Sequence, residues 1–265
     1  MATEQKEKLT AGSFCWVDLA SSDTAAAQKF YEDLFGWSAQ IIEMGEGQSY
    51  TMFGCGDNET AGLLAMDAKQ KAAGFPSYWT SYILVDDIVT STAEAKKCGA
   101  TVHMLPSPVG DVGIMSIIQD PTGAGFALWQ DKSGKSERKT GVGHACWSEL
   151  ATEDTSGASD FYHKVFGWTK EAMPFGEMPY DVFKLNGESV AGMMTLSELA
   201  KSNGAPPHWL TYISVANCDQ SLSKTKELSG KILMDAKDFE GVGRGAVIQD
   251  PTGGVLGIIQ LNSAE

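Results

Sequence analysis

The sequence predicts an α+β fold of four β-α-β-β-β modules arranged as two tandem pairs. Three observations carry this. Gln119-Asp120-Pro121-Thr122-Gly123 returns as Gln249-Asp250-Pro251-Thr252-Gly253, 130 residues later. Phe30-Tyr31 and Phe35-Gly36-Trp37 return as Phe161-Tyr162 and Phe166-Gly167-Trp168 at an offset of 131, and Tyr82-Ile83 as Tyr212-Ile213 at 130. Each Asp-Pro-Thr-Gly copy lies between two apolar runs, and its residues suit a tight type I turn, so each copy closes a hairpin. Self-similarity of this length marks a duplication.

The elements follow in order. Residues 1–11 are polar and read as a disordered tail. Phe14 to Leu19 is a strand and Asp23 the N-cap of a helix. Ala27, Phe30, Tyr31 and Leu34 fall on one face of that helix, and Gly36 ends it in a left-handed cap. Three strands near 37–44, 49–55 and 59–66 complete the first module, and 67–74 is a polar connection. The second module has a strand at Tyr78–Val85, a helix at Asp87–Cys98 stopped by Gly99, and strands near 101–105, 112–119 and 126–130. Residues 132–141 have no large apolar side chain and read as a linker. The second half replays this order: Asp154 caps, Ala158, Phe161, Tyr162 and Val165 form the apolar face, and Gly167 stops. The domains are therefore 12–131 and 142–262.

The 265 residues suit two domains with proper cores, and 43% apolar with 20% charged residues describes a soluble globular chain. The start lacks a signal peptide's apolar core, and no apolar run approaches the roughly 20 residues of a spanning helix. Five cysteines without a CxxC pair favour reduced thiols in a cytoplasm over disulfides or zinc. A net charge of −14 disfavours nucleic acid and anionic membranes. No nucleophile triad is recognisable from spacing. The glycine-rich Gly241–Gly245 lies inside a strand, so it is no phosphate loop.

Paired β-α-β-β-β modules with Asp-Pro-x-Gly before the last strand resemble the vicinal oxygen chelate superfamily, which includes glyoxalase I, extradiol dioxygenases and bleomycin-resistance proteins. The matching stretches are Trp16-Val-Asp-Leu, Asp23, Phe30-Tyr31 and Phe35-Gly-Trp37, then Trp147-Ser-Glu-Leu, Asp154, Phe161-Tyr162 and Phe166-Gly-Trp168, and both turns. The resemblance covers about residues 12–262. It implies two concave cups, each built from paired modules, with a divalent metal held in the family's enzymes by a first-strand His and a Glu about seven residues after the turn Asp. Carried over position by position, those sites hold Trp16, Thr80, Ala127, Trp147, Leu210 and Gly257. None is an imidazole or a carboxylate. The expectation is therefore no metal and no cofactor.

Strand alternation puts Trp16 with Asp18, and Trp147 with Glu149, on single faces. A carboxylate beside an indole suits a polar ligand lying on the ring; the rival reading makes both Trp core and both acids solvated strand ends. Thr80 and Tyr82, and Leu210 and Tyr212, share faces in the same way, and Trp129 follows Ala127. Of the four histidines, none pair at ligand spacing. His144 and His208 begin strands near a rim, whereas His103 and His163 offer no site. Arg244 stands in an apolar strand where the first half has Ile114, and calls for an anionic partner, either Glu149 or Asp18 internally or a ligand carboxylate. On that basis the second cup should prefer an anion.

These readings favour a cytoplasmic, metal-free protein that binds a small organic molecule, with Trp16, Asp18, Thr80, Tyr82, Trp129, Trp147, Glu149, His208, Tyr212 and Arg244 as ligand-binding candidates. They lean against an enzyme. Its expected state is a monomer with an internal pseudo-dimer, without nucleic-acid or membrane partners. The alternatives are a metal-dependent lyase, isomerase or dioxygenase with atypical ligands, and a non-catalytic interaction scaffold.

Overall fold

The computed structural model describes residues 8–45, 47–175, 178–202 and 204–262. The first module runs β1 (Phe14–Ser21), α1 (Thr24–Phe35), β2 (Ser38–Gly45), β3 (Gln48–Cys55) and β4 (Asn58–Ala65). A short α2 (Ala68–Ala72) leads to β5 (Tyr78–Leu84), α3 (Ile88–Lys97), β6 (Thr101–Val109), β7 (Gly113–Gln119) and β8 (Gly125–Asp131). Their strand order is β2-β3-β4-β1-β5-β8-β7-β6. The third module runs β9 (Ala145–Thr152), α4 (Thr155–Phe166), β10 (Thr169–Phe175), β11 (Met178–Leu185) and β12 (Glu188–Thr195). After α5 (Glu198–Ser202) come β13 (His208–Ser214), α6 (Cys218–Glu227), β14 (Lys231–Phe239), β15 (Gly243–Gln249) and β16 (Val255–Leu261). The order β10-β11-β12-β9-β13-β16-β15-β14 repeats the first sheet strand for strand. This is the predicted α+β architecture of four β-α-β-β-β modules.

The local signals act as expected. Asp23 accepts from the Ala26 N–H at 3.0 Å and Asp154 from the Gly157 N–H at 2.8 Å, each satisfying a free donor at a helix start. Gly36 and Gly167 end those helices at φ of 69° and 71°, where a side chain is disfavoured. Helix α2 was not foreseen in the polar connection. At five residues it shows no apolar period; a reciprocal cap between Asp67 and Gln70 holds it instead. Residues 1–7 of the expected tail lie outside the described residues. At its end Lys8 bridges Glu137, and the Leu9 N–H donates to Ser136 O at 3.1 Å. No described helix is long and apolar enough to cross a membrane.

Packing divides the chain differently from the strand order. Within the described residues, one compact unit takes 8–16, 81–138 and 147–209, and the other takes 17–80, 139–146 and 210–262. In the first, α3 packs with α4, and Phe126, Phe161, Tyr162, Trp168, Phe183 and Trp209 form the aromatic core. In the second, α1 packs with α6, and Phe30, Tyr31, Trp37 and Phe53 are enclosed. The helix-borne Tyr of each repeat meets the Asp of a repeated turn. Tyr162 Oη donates to Asp120 Oδ2 at 2.8 Å, and Tyr31 Oη to Asp250 Oδ2 at 2.7 Å. Both carboxylates are 3% exposed. Oδ1 of Asp120 also accepts from the N–H groups of Thr122, Gly123 and Ala124 at 2.8 to 3.0 Å. Oδ1 of Asp250 accepts from those of Thr252 and Gly254 at 2.7 and 3.0 Å. Trp209 and Trp79 donate their indole N–H to the two phenol oxygens at 2.8 and 3.1 Å.

Burial, and then the adjacent carboxylate charge, push both phenols well above the ordinary value of 10.0. The neutral phenol is the folded form, whereas unfolded chain ionises near its ordinary value. The stabilisation is therefore complete below about pH 10 and is lost as pH rises above it. At pH 8, Tyr31→Phe should lower the urea-derived stability by about 1.5–3 kcal/mol, the range for a hydrogen bond to a charged group. Its stability should also fall less steeply than that of the wild type between pH 9 and 11. An unchanged midpoint at pH 8, or an identical alkaline slope, would refute the assignment.

Candidate functional site

The helix-covered face of each sheet builds core, and the candidate carboxylates Asp18 and Glu149 lie on the opposite face. On β1, Val17 and Leu19 are buried in the core while Asp18 points the other way. The register sets Asp18 opposite Gly62, Gly62 opposite Met52, and Tyr50 opposite Leu64, which places them on one face of β1, β4 and β3. Tyr50 Oη donates to Asp18 Oδ1 at 2.6 Å. Gly62 makes this possible, because a Cβ there would overlap both the phenol oxygen and the carboxylate. Asp18 is 8% exposed, and Tyr50, Met52 and Leu64 are half-buried.

The other unit repeats the device. Glu149 lies opposite Gly192, and Gly192 opposite Val182. Trp147 Nε1 donates to Tyr180 Oη at 2.9 Å, and Tyr180 hydrogen-bonds the Glu149 carboxylate. Burial, followed by the Glu149 charge, raises the Tyr180 phenol above its usual range, so it stays a neutral donor. A Cβ on Gly192 would meet Tyr180 Oη and Trp147 Nε1. Trp147 is half-buried, an indole wall with its N–H directed at a polar group.

The remaining candidates have other places. Trp16, Thr80 and Trp129 are half-buried, and Trp129 covers the backbone of Gly113. Tyr82 is buried opposite Ala127. Tyr212 is buried over Gly257, whose absent Cβ admits the ring. His208 turns Nδ1 to Pro206 O at 2.8 Å. His144, also expected at a rim, is buried with Nδ1 3.0 Å from Thr60 Oγ1, and burial lowers its pKa. Arg244 is the correction. It shares its face of β15 with the core residues Ala246 and Ile248, away from Gly245 and Val247. Its partners are Asp219, held bidentate at 2.9 and 3.0 Å, and Asp238 at 3.1 Å, not Glu149 or Asp18. The anionic preference expected of the second half therefore loses its basis.

The family's metal does not fit this donor set. Its positions hold an indole, a threonine hydroxyl, a methyl, an indole, a leucine and a hydrogen, and among the described residues no three His, Cys, Asp or Glu side chains gather to hold an ion. Burial pushes the Cys146 thiol up to about 12, which disfavours its thiolate. Two surface clefts, of about 350 Å³ beside Asp86 and Asp131 and about 400 Å³ beside Phe35 and Asn217, contain none of the candidate residues. Sequence reasoning missed Tyr50 and Tyr180, although the repeat offset of 130 links them, as it links Gly62 to Gly192.

The family model for the glyoxalase/bleomycin resistance protein/dioxygenase superfamily matches residues 13–128 and 141–257. The chain belongs to this superfamily. Among curated members it is 33% identical over 248 residues to a Mycobacterium bovis protein named "Putative glyoxylase CFP32", covering 92% of this chain and 93% of that one. It is 30% identical over 265 residues to "Anthracycline biosynthesis protein DnrV" of Streptomyces peucetius, covering 94% of each. Superfamily folds of known structure align along nearly the whole chain. The Mn(II)-bound glyoxalase of Novosphingobium aromaticivorans does so with a TM-score of 0.65 at 13% identity, over 94% of this chain and 82% of that one. The 2,3-dioxygenase LapB of Pseudomonas sp. KL28 gives 0.64 at 10% identity, over 95% and 93%.

Both glycines can be tested as the openings that admit the tyrosines. Gly192→Ala should displace Tyr180 from Trp147, shift the intrinsic fluorescence and cost about 1–3 kcal/mol of stability by overpacking. A variant with the wild-type spectrum and unfolding midpoint would show that the ring does not depend on that opening.

Proposed function

We propose that this superfamily member binds a small, partly aromatic or polar organic molecule against its tyrosine–carboxylate faces, without the divalent metal of the family's enzymes. One observation carries the reading. Where metal-ligating side chains would stand, the chain has groups that do not ligate, and beside them each half has a tyrosine hydrogen-bonded to a carboxylate. A mostly apolar surface with a few directed polar groups is the usual composition of a ligand site. The Streptomyces relatives, whose name places them in anthracycline biosynthesis, support an aromatic ligand.

A second reading is a metal-dependent lyase, isomerase or dioxygenase with an atypical ligand set, favoured by the glyoxylase name of the mycobacterial relatives. Elemental analysis separates the two. Purified protein should contain no stoichiometric divalent metal; about one zinc, nickel, iron or manganese per chain, with activity lost on chelation and restored by the ion, would establish the second reading. In calorimetric titrations with 1-naphthylmethanol as a neutral aromatic probe, Trp147→Ala should weaken binding by roughly 1–3 kcal/mol. Its unfolding midpoint, measured alongside, separates a lost wall from a lost fold. The absence of any heat with the wild type would favour a scaffold.

A further inference from the structure

Each sheet ends in two edge strands, β2 and β6 in the first and β10 and β14 in the second. An open edge presents a row of backbone donors and acceptors that another strand can join, and folded proteins blunt such edges with proline, bulges or charge. Strand β6 contains Pro106 and Pro108, and its pairing with β7 shifts register twice. Strand β14 also shifts twice, against β15, and carries Lys231, Asp235, Lys237 and Asp238. On β10, Lys170 pairs with Asp181 and Glu171 with Lys184. Strand β2 differs from all three. It has no proline and no basic residue, its register shift falls at its end, between Glu43 and Gly45, and among the described residues it has a strand on one side only. Ile41 is 60% exposed, Met44 54% and Ile42 36%. The charge around this edge is one-sided. Residues 38–65 contain no Lys, Arg or His, whereas Glu43 on β2, and Asp57 and Glu59 beyond its Ser38 end, are exposed. Lys29 of α1, the helix against β2, is held by Asp33 at 2.8 Å.

We propose that β2 accepts a strand from a partner protein, an extended segment in which apolar residues alternate with Lys or Arg. The segment's backbone pairs with the outer edge of β2 and lengthens the first sheet by one strand. Side chains of a strand alternate between faces, so Ile42 lies on the face of Tyr50, and Ile41 and Glu43 on that of Thr51 and Ser49. The partner's apolar residues align with Ile42. Its basic residues reach Glu43 on the other face, with their alkyl stems along Ile41. A second copy of β2 would bring only more negative charge to the edge. This inference goes beyond the small-molecule reading and does not depend on it.

Fluorescence anisotropy with two labelled octapeptides, valine alternating with lysine or with glutamate, tests the partner's chemistry. The lysine peptide should bind at least about tenfold more tightly than the glutamate peptide. Its affinity should fall between about 0.1 and 1 M salt, as the screening length shrinks from about 10 to about 3 Å. Hydrogen exchange tests the place: the lysine peptide should slow exchange of amides within residues 38–45 and leave those of β6, β10 and β14 unchanged. Glu43→Gln, an exposed and isosteric change, should weaken binding of the lysine peptide roughly two- to fivefold, the worth of an opposite-charge cross-strand pair. Equal binding of the two peptides, unchanged exchange across 38–45, or an affinity indifferent to Glu43→Gln overturns the proposal. So does concentration-dependent dimerisation that protects the same amides without peptide, which would assign the edge to a second copy.

Discussion

The buried bond between a helix tyrosine and a turn carboxylate is the constraint on which both compact units depend. The Asp of each Asp-Pro-Thr-Gly turn is enclosed, and an enclosed carboxylate is tolerable only when hydrogen bonds replace its water. Backbone N–H groups and the threonine hydroxyl of its own turn supply all but one of them, and the tyrosine of α1 or α4 supplies the last. The turn therefore shapes its own loop and anchors a helix at once. One indole N–H completes each phenol oxygen, so tyrosine, tryptophan and aspartate act as one polar cluster inside an aromatic core. The second tryptophan of each repeat closes the surroundings. Trp37 donates to Gly143 O at 2.9 Å and Trp168 to Gly12 O at 3.0 Å.

With one sheet face committed to that core, the other is left to carry the tyrosine–carboxylate pairs. The same pattern of tyrosine over glycine beside a carboxylate stands in modules one and three, with aspartate in the first and glutamate in the second. The side chain that would otherwise occupy Gly62 or Gly192 is absent, and the phenol fills the space. Superfamily membership gives the frame for this face; the residues on it set its chemistry.

Much of the fold was legible because its signals are local. Asp23 and Asp154 cap, Gly36 and Gly167 stop, and the helix faces read out at the expected spacing. The short helix α2 was not legible, since five residues carry no period. The geometry of the candidate faces was legible in part. Alternation placed Asp18 and Glu149 correctly on their strands, yet it could not reveal that Tyr50 and Tyr180 reach across to them from other strands. Arg244 misled because a charge in an apolar strand suggests a buried partner. Its neighbours Ala246 and Ile248 set its face, and Asp219 at the start of α6 supplies the partner.

By itself the sequence determined that there are four modules, where their helices begin and end, and that the Tyr and Asp motifs recur. It did not determine which tyrosine meets which aspartate. Tyr31 pairs with Asp250, 219 residues away, and Tyr162 with Asp120, 42 residues away. The two aspartates sit in identical five-residue motifs, so no local preference distinguishes them. Only the tertiary packing of α1 with α6 and of α3 with α4 makes the choice, because a phenol and a carboxylate must come within hydrogen-bond distance in a dry core.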